Sequence, residues 1–274
     1  MPTPKKLTRR EMLKQGSLAV ASMALARGAG TAGSRSSSDF KYASGGTKAM
    51  TGNYPDPFIG LEPDCTLTCA QTLGPCFADV NKVRRDVTEG KVGLPVRLAF
   101  RLLDVNTCGP VENASVEIWE ADVDGVYSAD TPAEMCHTGH PEVAEESFLR
   151  GIQFTDADGR ADFDTVYPGW YPGRTPHIHV KVGLDEQELL VTQVYFDDEL
   201  TDYIYANHPD YDHRPDGYTT NDRDGIFDED DAPAFLLKTK DNEDGSLLAY
   251  ITLGLRSSTD EPLCGTGRPM RRRR

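Results

Sequence analysis

Short runs in which apolar and polar side chains alternate set the strongest limit on how this chain can fold. Val96-Arg97-Leu98-Ala99-Phe100-Arg101-Leu102-Leu103, Ser115-Val116-Glu117-Ile118-Trp119-Glu120 and His177-Ile178-His179-Val180-Lys181-Val182 largely follow a period of two. Leu189 to Phe196 and Leu247 to Leu255 are further candidates. A period of two puts alternate side chains on opposite faces of a strand. Turn-forming clusters separate the runs: Asp104-Val105-Asn106, Asp124-Gly125, Asp156-Ala157-Asp158-Gly159 and Pro168-Gly169. The pattern predicts an all-β fold, an antiparallel β-sandwich with long functional loops and little helix. Helical periodicity is weak beyond the first residues. No glycine-rich phosphate loop occurs, so a nucleotide cofactor is not indicated.

The sandwich is expected over residues 52–258. Residues 1–26 read as an export signal. Lys5, Lys6 and Arg9-Arg10 precede Met12-Leu13-Lys14, an apolar small-residue stretch runs from Gly16 to Ala26, and Ala24-Leu25-Ala26 supplies an A-x-A end. The paired arginines resemble a twin-arginine signal, which delivers folded proteins to a periplasmic or extracellular location. The apolar stretch is about ten residues, against the ~20 that a bilayer-spanning helix needs, so no membrane association is expected after cleavage. Residues 27–51, rich in Gly, Ser, Ala and Thr, read as a flexible tether. Residues 259–274, ending in four arginines, read as a disordered basic tail. The six cysteines, Cys65, Cys69, Cys76, Cys108, Cys136 and Cys264, suit an oxidising compartment, with disulfides expected for at least four of them. Spacing alone does not select among the roughly 15 full pairings. The net charge of -15 makes nucleic acid an unfavourable partner.

His177-Ile178-His179 carries the chemistry. On a strand, side chains two apart share a face, so two imidazoles can converge on one metal ion while Ile178 faces the core. Two surface histidines on an edge strand are the plainer alternative. The neighbourhood favours the metal. Tyr167-Pro168-Gly169-Trp170-Tyr171-Pro172-Gly173-Arg174 is a constrained loop that delivers Tyr171 and Arg174 beside the histidines. Trp119 to Tyr127 ends a strand in a turn and presents a second tyrosine. Two phenolates and two imidazoles suit Fe(III), whereas zinc is held by Cys, His and carboxylate.

At these residues the chain resembles the intradiol ring-cleavage dioxygenases, the family of catechol 1,2-dioxygenase and protocatechuate 3,4-dioxygenase. The similar stretches run from about Cys65 to Phe196. They include Leu73-Gly74-Pro75, Arg85-Asp86-Val87, Val116-Glu117-Ile118-Trp119, Asp124-Gly125-Val126-Tyr127, Leu149-Arg150-Gly151, Asp158-Gly159, Pro168-Gly169-Trp170-Tyr171, Gly173-Arg174, His177-Ile178-His179 and Val191-Thr192-Gln193-Val194-Tyr195-Phe196. The resemblance implies a non-haem Fe(III) enzyme that cleaves a catechol-type diol between its hydroxyl carbons with O2, giving a muconate-type diacid. It implies iron ligands Tyr127, Tyr171, His177 and His179, with Tyr171 the ligand that leaves when substrate binds. It implies Arg174 as a pocket arginine that stabilises negative charge and Gln193 as a glutamine near the iron. The short Tyr171–Arg174 interval resembles the exported, single-domain branch. Cys76-Phe77 stands where the family often has an aromatic directly after Gly-Pro, which leaves the identity of the diol open. A homodimer is the one assembly left open.

Two rival readings remain: a β-sandwich binding module without the reaction, and a different metal on the same residues. Asp222 to Asp231 resembles part of a calcium loop but departs from it at Thr220 and Asp231, so an acidic surface loop is the expectation. His208 and His213 are expected to face solvent. His137 and His140 have no spacing that ties them to the metal. Changing Arg9 and Arg10 to lysine is expected to strand the full-length precursor in the cytoplasm, as cell fractionation would show; unchanged export would mean another route.

Overall fold

The computed structural model describes residues 41–137, 139–214, 216–227, 232–261 and 264. The expected export signal, the first part of the tether and most of the basic tail lie outside these residues. Two four-stranded sheets pack face to face. The strands are β1 (Pro95–Asp104), β2 (Ser115–Trp119), β3 (Arg150–Phe154), β4 (Arg160–Val166), β5 (His177–Leu184), β6 (Gln187–Tyr195), β7 (Lys238–Asp241) and β8 (Leu247–Leu255). One sheet has the order β4-β1-β8-β7 and the other β3-β2-β5-β6. Pairing is antiparallel except that β1 and β8 run parallel, which makes the first sheet mixed.

The expected alternation sorts the two faces. Leu98, Phe100, Phe163 and Leu253 from the first sheet meet Val116, Ile118, Ile178, Val180 and Val194 from the second in one buried core. Each such side chain contributes about 1.5–3 kcal/mol by leaving water. The outward residues of β5 are therefore His177, His179 and Lys181. Register then aligns β2, β5 and β6 so that Trp119 lies opposite His179, and His179 opposite Gln193. Arg150 of β3 pairs with Trp119 on the other side. One row across the outer face of this sheet thus reads Arg150, Trp119, His179, Gln193.

Several sequence expectations are corrected. Residues 41–51 are not a free tether over their whole length: Tyr42 is buried in the core, and Ala43 N–H donates to the Gly245 carbonyl at 2.9 Å. His208 is not solvent-facing. It is fully buried, with Nε2 2.8 Å from the Ala43 carbonyl oxygen, so it ties this segment down. His213 is exposed and pairs with Asp124. Within the stretch expected to be a disordered tail, Cys264 is joined to Cys69. The other bridges are Cys65–Cys108 and Cys76–Cys136, so all six cysteines are paired. A helix, α1 (Asp198–Asn207), follows β6; Asp197 caps it by accepting from Glu199 N and Leu200 N. A one-turn helix, α2 (Ala232–Phe235), precedes β7. No helix among the described residues is long and apolar enough to cross a membrane.

One core position breaks the apolar rule. Glu120, just past β2, points inward and is fully buried. Thr165 Oγ1 donates to its Oε1, while Oε2 has no hydrogen-bond partner. Burial pushes its carboxyl well above the usual range. In the unfolded chain Glu120 ionises above about pH 4.3, whereas in the folded chain it holds its proton to higher pH. Its contribution to stability is therefore fully present below that pH and is lost as pH rises toward the folded value. Urea titrations are expected to show wild type losing more stability between about pH 5 and pH 8 than Glu120→Gln. Parallel pH dependences would show that Glu120 ionises normally.

Candidate metal centre

Four donor groups meet on the outer face of the second sheet. β5 supplies His177 and His179 from successive outward positions. Tyr127 comes from the connection between β2 and β3, and Tyr171 from the connection between β4 and β5. The turn before Tyr127 is set by Asp122, whose Oδ1 accepts from Asp124 N and Val126 N, both at 3.1 Å. Tyr127 N–H then donates to the Cys136 carbonyl at 2.9 Å, and Cys136 is joined to Cys76. The two tyrosine-bearing loops touch backbone to backbone at Gly125. Its φ is +78°, and a Cβ there would lie 2.0 Å from the Trp170 carbonyl oxygen, so only glycine fits. Trp170 is fixed in turn by Nε1 donation to the Arg214 carbonyl at 3.1 Å, with the Arg214 guanidinium over its ring.

The donor atoms crowd around a single nitrogen. His177 Nδ1 lies 2.6 Å from the Thr175 carbonyl oxygen and donates to it, which leaves Nε2 with its lone pair. Around that Nε2 stand Tyr171 Oη and His179 Nε2 at 3.2 Å, and Tyr127 Oη and Arg174 Nη1 at 3.4 Å. One lone pair cannot satisfy four neighbours. His179 Nδ1 is also buried without a partner, so either tautomer of His179 leaves a buried polar atom unmet. Its ring is stacked on Trp119, with centroids 4.7 Å apart and planes 7° apart.

Electrostatics point the same way. Burial pushes both imidazoles well below the usual histidine range, and Arg174 adds to this at each. Both are therefore neutral at pH 7, each with a lone pair to offer. Burial pushes the phenols of Tyr127 and Tyr171 upward, opposed at both by Arg174. To ionise there, the two buried phenols need a strong local cation, and two neutral imidazoles offer it lone pairs. The donor set fits a hard trivalent ion better than zinc. Among the described residues no cluster of three or more His, Cys, Asp or Glu offers an alternative metal site.

Arg174 is half-buried and locked. Its Nε donates to Asp224 Oδ2 at 2.9 Å, its Nη2 to Gln193 Oε1, and its Nη1 faces Tyr171 Oη and His177 Nε2. Gln193 is held by donating from Nε2 to the Thr72 carbonyl at 3.0 Å. The structure thus brings together Tyr127, Tyr171, Arg174, His177, His179 and Gln193. It adds two residues to which sequence reasoning gave no role: Trp119, the platform for His179, and Asp224. Asp224 lies in the segment expected to be an acidic surface loop, yet its side chain is fully buried. The apolar pair Ile226-Phe227 within that acidic run was the available signal. His137 and His140 take no part: His137 Nε2 contacts the Ala129 carbonyl and His140 pairs with Glu142 on the surface.

The family described as Dioxygenase (Dioxygenase_C) matches residues 73–211, half of the chain, a span within which all six of these residues lie. The chain belongs to the intradiol ring-cleavage dioxygenases. An intradiol ring-cleavage dioxygenase from Tetranychus urticae is 30% identical, over 70% of this chain and 95% of that one, with a TM-score of 0.63. The dioxygenase domain of a dioxygenase carbohydrate-binding protein fusion from Streptomyces sp. SirexAA-E is 27% identical, over 70% of this chain and all of that one, with a TM-score of 0.51. The protocatechuate 3,4-dioxygenase beta chain of Burkholderia cepacia is 35% identical over 137 residues, 46% of this chain and 54% of that protein. The chain spans about half the length of the curated relatives it matches.

Gly74, in one of the family's motifs, has φ +76°, and a Cβ there would lie 2.8 Å from His179 Cε1. Gly74→Ala is therefore expected to push the imidazole off Trp119 and to destabilise the protein by about 1–3 kcal/mol. Thermal unfolding and Trp fluorescence check this; an unchanged emission spectrum would mean that the stack does not depend on the gap.

Proposed function

We propose that this chain is a non-haem Fe(III) dioxygenase that cleaves a catechol-type diol between its hydroxyl carbons, with O2 as co-substrate and a muconate-type diacid as product. The observation that carries the reading is the convergence of Tyr127, Tyr171 and His179 on His177 Nε2 at 3.2–3.4 Å. Relatives named for protocatechuate, hydroxyquinol and chlorocatechol cleavage support the substrate class.

In this reading Tyr127, Tyr171, His177 and His179 hold the iron. A bound ferric ion supplies Lewis acidity toward a deprotonated diol and brings ring and O2 together. The protein supplies the remaining steps. Tyr171 is the less buried phenol and stands beside Arg174; its oxygen takes one hydroxyl proton as the diol binds. Arg174 turns its Nη1 edge toward the ligand atoms, where a planar, permanently charged donor stabilises negative charge building on the substrate. Gln193 keeps that edge aimed by accepting from Nη2. The Trp119–His179 stack and the Cys76–Cys136 wall keep one side of the site dry. Export by a twin-arginine-type route belongs to the same reading, supported by three disulfides, which persist in oxidising compartments.

Metal analysis of protein made in iron-replete medium is expected to find one iron per chain, with the red-brown band of ferric phenolate. Stoichiometric zinc and a colourless protein would sink the reading. Oxygen uptake across a panel of catechols tests the reaction. Arg174→Ala is expected to keep iron and colour while turnover falls by about 10²–10³; near-normal oxygen uptake would remove Arg174 from catalysis.

A further inference from the structure

We propose that Asp224 is the positioning residue that sets the orientation of Arg174, an inference that rests on the role given to Arg174 above. Asp224 lies in the chain between α1 and α2, far in sequence from the strands that carry the site. Its carboxylate is buried and receives four N–H donors, two on each oxygen. Oδ2 accepts from Arg174 Nε at 2.9 Å and Thr175 N at 2.8 Å; Oδ1 accepts from Ile226 N at 2.7 Å and Phe227 N at 3.2 Å. The segment is pinned from behind. Asn221 Nδ2 donates to the Phe196 carbonyl, and Thr175 Oγ1 to Asn221 Oδ1. Tyr195 stacks edge-on against Phe227.

The guanidinium is thereby held at two corners of its fork. Asp224 takes Nε and Gln193 takes Nη2, so rotation about the last side-chain bonds is blocked. The corner left over is Nη1, the one that faces Tyr171 Oη and His177 Nε2. Without Asp224, Gln193 alone would act as a pivot, and the charged edge could swing away from the ligand atoms. Thr175 links the two arrangements: its N–H is held by Asp224 while its carbonyl fixes the His177 tautomer. Only a carboxylate can do this. An amide at 224 would present a donor either to Arg174 Nε and Thr175 N or to the two loop amides, and each orientation sets donor against donor.

The test is a double-mutant cycle with kinetics on the iron-loaded full chain, read together with NMR of the arginine Nε–H on protein loaded with diamagnetic Ga(III). Asp224→Asn is expected to keep the iron content and visible band, lower kcat by about 10–10²-fold and leave KM nearly unchanged. In an Arg174→Ala background the same change is expected to lower kcat no further. The protected Arg174 Nε–H signal of the wild type is expected to vanish in Asp224→Asn. Arg174→Lys keeps the charge but not the fork, and gives a second route should Asp224→Asn fold poorly; its kcat is expected to fall as far as that of Arg174→Ala. Equal losses in both backgrounds, an unmoved Nε–H signal, or near-wild-type turnover in Arg174→Lys would overturn the proposal. A wild type with the protected Nε–H but no ring cleavage on any catechol would instead overturn the catalytic reading and leave the anchoring in place.

Discussion

A single lone pair organises the rest of the structure. Because the Thr175 carbonyl accepts a hydrogen bond from His177 Nδ1–H, the Nε2 of that ring has one role left, and Tyr127, Tyr171, Arg174 and His179 are arranged around it. Burying two phenols, two imidazoles and a guanidinium in one place is costly, since each loses its water. No internal pairing of these groups meets all their needs, as the orphaned Nδ1 of His179 shows. Such an arrangement persists only if the surrounding fold over-determines it.

The fold does so by mixing rigid and irregular parts. The strand pair β5–β6 fixes His177, His179 and Gln193 through register. Loops fix the remainder, and each loop is bound at several points. The Tyr127 loop is held by the Asp122 turn and by the backbone of Cys136. Arg150 reinforces this wall by donating to the carbonyls of Ser128 and Cys76. The Tyr171 loop is backed by an aromatic group in which Tyr167 lies between Phe196, Tyr205 and Tyr211. Tyr205 Oη donates to the Pro168 carbonyl at 2.9 Å, at the base of that loop. Loops are usually the more mobile parts of a protein; here their polar groups are consumed by the fold itself.

Much of this was legible in the sequence because it depends on short-range rules. Alternation located β1, β2, β5, β6 and β8, and the H-x-H spacing placed two imidazoles on one face. The two tyrosines and Arg174 were found through motifs, since periodicity carries no information about loops. What was missed depends on distant partners. β3 carries a glycine and little alternation, and β4 alternates Asp162 and Asp164 with Ala161 and Phe163 directly after the Asp156–Gly159 turn cluster. β7 is wholly exposed and has no apolar face to betray it. α1 is short and acid-rich, and relies on Asp197 and a few buried side chains. Tyr42, His208 and Asp224 sit in stretches polar enough to read as solvent-exposed, and only tertiary contacts bury them. Glu120 stands where alternation calls for an apolar side chain; nothing local announces its partner Thr165.

The position of the site on the outside of its sheet has an evolutionary consequence. Along β5, Ile178, Val180 and Val182 serve the packed interior, while His177 and His179 serve the chemistry. Neighbouring codons therefore encode different properties of the protein. Substitutions in the connecting loops can reshape what the site accepts without opening the interior, and substitutions in the interior can tune stability without touching the reacting groups. A lineage built on such a sheet can alter its site while its scaffold stays intact.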